Sequence, residues 1–355
     1  MMRKNLDDAV DRLSDFYNRR GDNEVFIRID VQDAQADLST ERRLLNRRTF
    51  PDVKWLYSHW ERYLTKLYNL EDDSTPTIYL SPYDQGLYGA ILGAELVVDK
   101  PMRIERTPFW IGSMTKPLEH FSLEELGWSE ENPWLERFRS DLRYVAERAR
   151  GRFGVGVLMT IDALNFVAQV LGITKALIWL YRRPDDAKRL MEFAFELNVR
   201  LVEMQRDIID FTYKGGVFDF YGGWLPRRAV PMSVDLYNFC RPQMYTAMGR
   251  TYQQRLIDRF GGGIYHVHEN GYHLIPELAK MRNVLAIWIT DHNVPIHKVK
   301  ALREMAGSIP LIIDCTKHQF LRDLREKTIE RGVMYNIKAK NLSEANLLAR
   351  KAKSL

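Results

Sequence analysis

The segment Tyr265-His266-Val267-His268-Glu269-Asn270-Gly271 sets two imidazoles two positions apart. On a strand that spacing sends both side chains to one face, so His266 and His268 converge. Two convergent imidazoles begin a metal site, and zinc accepts mixed nitrogen, sulfur and oxygen ligands while keeping one position open when it is catalytic. Cys315 is the candidate third ligand, with Asp291 or His292 as replacements. In the competing reading one histidine holds a substrate carboxylate and the other is packed and hydrogen-bonded. Asp84, His266 and Glu269 are the candidates for acid and base chemistry. Tyr83, Trp110, Tyr221 and Trp224 could wall a planar ligand. Gln85, Asp162, Asp291 and Asn336 add polar groups for substrate binding, although Asp162, just before Ala163-Leu164-Asn165, also reads as a helix cap. Cys315 with His318 offers a nucleophile, against the blander reading of a small buried hydrophobe.

These residues share one property: each lies just after a short apolar run. Such runs, each followed by turn residues and a helix-period stretch, are the pattern of parallel βα units, and reactive groups collect where their strands end. The expected strands are 77–80, 95–104, 154–160, 216–220, 263–268, 284–290, 310–315 and 332–337. Pro184, Asp185 and Asp186 open the best helix, 184–210, in which Leu190, Phe193, Leu197, Leu201, Met204 and Ile208 recur at helical spacing. Ahead of the strands, two amphipathic helices are expected. One carries Leu6, Val10, Leu13 and Tyr17; the other starts after Pro51 and carries Val53, Leu56, Tyr57, Trp60, Leu64 and Tyr68. The expected architecture is therefore a (β/α)8 TIM barrel over residues 76–355 behind an N-terminal helical extension, residues 1–75, packed on the barrel's end or on a second subunit of a homodimer. An open doubly wound sheet is the alternative, but neither Gly222-Gly223 nor Gly261-Gly262-Gly263 makes a nucleotide-binding fingerprint.

Bulk properties narrow the classes of function. Hydrophobic residues are 45% and charged residues 28%, which suits a globular chain and argues against disorder. The net charge of +5 comes from 52 basic and 47 acidic residues that interleave, and the densest basic stretch, Arg42, Arg43, Arg47 and Arg48, reads as a solvated helix face. Nucleic acid is not an expected partner. Two cysteines, Cys240 and Cys315, are too few for a disulfide framework. The start carries Asp7, Asp8 and Asp11 rather than an apolar leader, and no 18-residue apolar run occurs, so the expectation is a cytoplasmic protein without a membrane span.

Several stretches in sequence order resemble the uroporphyrinogen decarboxylase and cobamide-methyltransferase superfamily over about residues 76–353. They are Gly151-Arg-Phe-Gly-Val-Gly156, Asp162-Ala-Leu164 with Val170-Leu-Gly172, Pro184-Asp-Asp186, the His266-Val-His268-Glu-Asn-Gly271 strand end with Ile275-Pro-Glu-Leu278, and Val333-Met-Tyr-Asn-Ile337 with Leu342-Ser-Glu-Ala-Asn346. The resemblance implies a barrel enzyme that either decarboxylates a porphyrinogen or uses zinc to move a methyl group between a corrinoid protein and an acceptor. The family's decarboxylases hold substrate carboxylates with arginines near the first strand, and the matching Ser81-Pro-Tyr-Asp-Gln-Gly86 has none. The methyltransferases bind zinc through a His-x-Cys pair and a second cysteine; here His268 stands at the first cysteine position and Asn336 near the second. His266, His268 and Cys315 would form a harder ligand set. The reading that follows is a methyltransferase acting on a small substrate with a divalent metal such as zinc and a corrinoid carried by a partner protein. A lyase or decarboxylase working by acid and base chemistry, and a non-catalytic ligand-binding barrel, are the alternatives.

Overall fold

Parallel strands carry the architecture, as the alternating pattern requires. The computed structural model describes residues 2–38, 50–103, 107–220, 223–290 and 294–354. The candidate residues Tyr221, Asp291 and His292 and the Arg42–Arg48 stretch lie outside the described residues. Strands β1 (Val25–Val31), β2 (Thr77–Ile78), β3 (Leu96–Val98), β4 (Ser113–Thr115), β5 (Gly154–Val155), β6 (Gly216–Asp219), β7 (Gly223–Pro226), β8 (Val230–Ser233), β9 (Gly263–Val267), β10 (Val284–Ile289), β11 (Leu311–Asp314) and β12 (Val333–Ala339) alternate with helices. The main sheet has six strands in the order β1-β12-β11-β10-β9-β8. All its pairings are parallel. β2 and β5 make a second parallel pair, and a bridge from Thr160 to Met232 joins the chain after β5 to β8. β10, read Val-Leu-Ala-Ile-Trp-Ile, is apolar throughout because it is buried on both faces.

The helices start where the sequence predicts. Asp52 accepts from the Lys54 and Trp55 N–H groups at 2.8 and 3.2 Å and so opens Val53–Lys66. Pro184 occupies the first turn of Pro184–Ile209, which buries Leu190, Leu197 and Leu201. Among the described residues no single helix is long and apolar enough to cross a membrane.

Three expectations change. Residues 1–75 are not purely helical, because Val25–Val31 is an edge strand of the main sheet, paired with β12 from Val25↔Val333 to Val31↔Ala339. The stretch 95–104 supplies only β3, which pairs antiparallel with β4. The stretch 216–220 supplies β6, which pairs antiparallel with β7. The β6–β7 hairpin lies against the inner face of the strands, the face turned away from the helices. Thr75 donates to the Gly223 carbonyl at 2.6 Å, and the Phe220 ring lies 5.4 Å from Trp288 of β10. Glycines admit it: a Cβ on Gly154 would enter the Phe218 ring, and one on Gly156 would come within 3.1 Å of the Asp219 and Phe220 backbone. The helix Leu6–Tyr17 covers the hairpin's other side, where Tyr213 and Lys214 bond to Asp7 and Asp11.

No backbone ladder joins β1 to β2, and two aspartates serve instead. Asp73 accepts from the Ile27 N–H at 2.8 Å and Asp72 from the Ile29 N–H at 2.6 Å. Arg3 and Arg12 reach Asp72 and Asp73 at 3.0 and 2.7 Å. Both carboxylates are buried, and burial pushes the Asp73 pKa up more than Arg12 pulls it down. Asp72→Ala should therefore leave Arg3 uncompensated and lower stability by about 3–5 kcal/mol. Urea denaturation with an unchanged slope reads this directly, and a loss below about 1 kcal/mol would show that the seam is held by other contacts.

Candidate metal centre

His266 ends β9 in register with Ser233 of β8 and Trp288 of β10. The alternation that turns Trp288 inward turns His266 inward, and His268 follows two residues later. Their ring centroids are 4.5 Å apart at 69°. Asp235, in the turn after β8, completes the group: one ligand atom from each of Asp235, His266 and His268 lies within 4.8 Å of the others. The Asp235 Oδ1 is 3.9 Å from His266 Nδ1 and is buried without a hydrogen-bond partner among the described residues. The other imidazole is oriented from behind, with Thr290 Oγ1 3.0 Å from His268 Nδ1. Two imidazoles and a carboxylate fit a divalent metal of the zinc type with a free coordination position, and Asp235 and His268 face a shallow, open depression bordered by Asn238, Phe239, Glu269 and Asn270.

Cys315 does not join this group. It follows Asp314 by one residue and so faces the helices, where its thiol is pushed up by burial and then by Asp314 and Asp323. It lines a separate cavity of about 400 Å³ with Asn336, Lys317 and Lys338. Asp235 was not visible in the sequence as a ligand, because Pro231 breaks the apolar run that would have announced β8.

Two more carboxyl groups surround the centre. Asp84, in the turn after β2, is 4% exposed and its Oδ1 has no partner among the described residues. Burial raises its pKa to about 7, against hydrogen bonds from Tyr79 and the Gln85 N–H, and the Asp235 charge adds to the rise. Asp162 caps the helix Ala163–Leu171, accepting from the Asn165 N–H at 2.8 Å. Burial raises it to about 8; the Asp235 charge acts in the same sense, and the Leu236 N–H pulls it back. Asp162 thus lies within electrostatic reach of Asp235. Gln85, beside Asp84, has a φ of +62°, a strained conformation for a residue with a side chain.

The other candidates disperse. Trp110 stacks on Tyr79 at 5.8 Å and 17°, Tyr79 meets Phe220 at 5.8 Å, and Trp288 lies 5.7 Å from His266, so an aromatic run extends from Trp110 to the histidines. Glu269 turns to the rim and pairs with Lys298 at 2.7 Å. Tyr83 is buried under the helices and donates to Asp141 at 2.5 Å. Trp224 belongs to the hairpin and donates to the Tyr213 carbonyl at 2.8 Å. Asn336 is engaged twice, accepting from Arg28 at 3.1 Å and donating to Asp314 at 2.6 Å.

The fold and this centre define an α/β protein with a parallel sheet and polar groups gathered at the carboxyl ends of its strands. No family model matches the sequence, and no curated protein sequence does. Among solved structures the chain is similar to a methyltransferase from Methanosarcina mazei, with a TM-score of 0.61 at 11% identity over 97% of each chain. It also matches a B12-independent methionine synthase from Shewanella with a TM-score of 0.36 at 13% identity, over 72% of this chain and 74% of that one. The first likeness shows the shared fold.

The raised carboxyl groups make stability depend on pH. Asp84, Asp162 and Asp219 move from 3.8 to about 7, 8 and 7, each chiefly by burial. A carboxyl with a raised folded pKa binds its proton more tightly in the native state, so the stability it contributes is present at low pH and lost as pH rises through the folded value. The urea midpoint should fall between about pH 5 and pH 8, and Asp219→Asn should flatten that decline. A midpoint that climbs across this window would contradict the assignment.

Proposed function

We propose that this chain is a metal-assisted methyltransferase that moves a methyl group between a small substrate and a corrinoid protein or other acceptor. The observation that carries the reading is the Asp235–His266–His268 cluster at the strand ends. The fold shared with a methyltransferase supports it by analogy. In this reading β1, β2, β5 and β8 to β12 close into an eight-stranded barrel. The Thr160 to Met232 bridge and the aspartate seam at β1 support that closure.

A divalent metal bound by Asp235, His266 and His268 would supply Lewis acidity to the heteroatom that gains or loses the methyl group. The remaining work belongs to the chain. Thr290 fixes the His268 ring. Asp84 at about 7 holds a proton near neutrality and can give it to a departing heteroatom. Tyr79, Phe220 and Trp288 close the floor against water, while Phe239, 70% exposed at the rim, offers a contact for a macromolecular partner.

Purified protein should carry about one equivalent of metal, and His266→Ala should lose most of it because two remaining ligands hold zinc poorly. Cys315→Ser should keep the metal, and Thr290→Val should weaken binding by about 10- to 100-fold. Activity in a corrinoid-coupled methyl-transfer assay should track metal content across these variants. Metal-free protein by elemental analysis would overturn the proposal.

A second reading, a lyase acting on a small carboxylic acid, is favoured by the raised pKa of Asp84. Asp84→Asn should lower kcat by about 10²- to 10⁴-fold while leaving metal content unchanged under either reading, so the two are separated by the product formed. Carbon dioxide release from a supplied acid, with no methyl transfer, would select the lyase.

A further inference from the structure

A second cavity, of about 360 Å³, lies at the opposite end of the strands from the metal centre. Its landmark is Arg206, in the last turn of Pro184–Ile209 and 8% exposed. Its Nη2 donates to the carbonyls of Arg228 and Ala229, and its guanidinium lies 4.7 Å from the centre of the Phe260 ring. Nε and Nη1 are buried with no hydrogen-bond partner among the described residues. Glu203, a carboxylate that acts on Arg206 through its charge, is bonded to Arg259 at 2.5 Å, and the second cation at the cavity is Arg228. Burial and the Arg228 charge lower the Arg206 pKa to about 10, the response of a cation short of counter-charge. A buried guanidinium with two unmet donors is costly, and an anion is the group that meets both needs.

The rest of the lining defines what the anion is attached to. Val155, Val157, Ile209, Phe211 and Val217 form apolar walls, while Asp207 and Asp210 sit exposed at the edge and make no ion pair with Arg206 among the described residues. We propose that this cavity binds a small carboxylate with a hydrocarbon body, its head on Arg206 and its tail between the valines and Phe211. The site is distinct from the metal centre: Arg228 precedes β8 and Asp235 follows it, so the four strand residues Val230–Ser233, spanning roughly 13 Å, lie between them. Ligand bound there would touch β5, β6 and Arg228, the residue two before β8.

Calorimetric titration of the full chain with sodium octanoate and, separately, with inorganic phosphate tests this. Octanoate should bind saturably and raise the melting temperature, and phosphate should bind at least about tenfold more weakly because it gains nothing from the apolar walls. Arg206→Met should weaken octanoate by about 10- to 100-fold, the worth of charge-assisted hydrogen bonds, while metal content is unchanged. Should that variant fold poorly, Thr212→Trp, at an exposed position on the cavity wall, should block octanoate without touching the buried cation. No saturable heat up to about 10 mM octanoate, equal affinity for phosphate, or full octanoate binding in Arg206→Met or Thr212→Trp would each overturn the proposal.

Discussion

The seam between β1 and β2 is the constraint on which the rest of the fold hangs. The six-stranded sheet ends at β1, and on its outer side the backbone of β1 finds carboxylates instead of a neighbouring ladder. Asp72 and Asp73 accept from Ile29 and Ile27, and Arg3 and Arg12 neutralise them from the N-terminal helix and its approach. The seam also ties the N-terminal residues to this edge of the sheet: without Arg3 and Arg12 two desolvated carboxylates would face apolar surroundings.

A similar concentration of negative charge governs the other end of the strands. Asp84 and Asp162 are both buried within electrostatic reach of Asp235. Burial is the chief reason that these two hold protons, and the Asp235 charge adds to the rise. Environment thereby separates their roles: the two buried groups are hydrogen-bonding acids, and Asp235 faces the histidines.

The sequence made part of this legible. Spacing of two on an apolar run brought His266 and His268 together, and the helix starts after Pro51 and at Asp162 and Pro184 followed from local chemistry alone. What stayed hidden depended on pairing. β1 carries Arg28 and Asp30 on its inner face, so its alternation looks like a polar stretch between helices. The runs at 95–104 and 216–220 have strand composition, but nothing in a single run says whether its partner will be parallel or antiparallel. Cys315 was assigned to the wrong face because strand ends are uncertain by a residue, and one residue reverses the side chain. Asp235 was missed with its strand.

The hairpin that glycines at 154 and 156 admit occupies the inner face of the strands. Under the methyl-transfer reading the carboxyl ends of the strands would then be the doorway for substrate and product alike. A protein carrying the second reactant would have to stand in that same doorway. Turnover would in that case be ordered: the small molecule enters first, the large partner closes over it, and product leaves once the partner steps away.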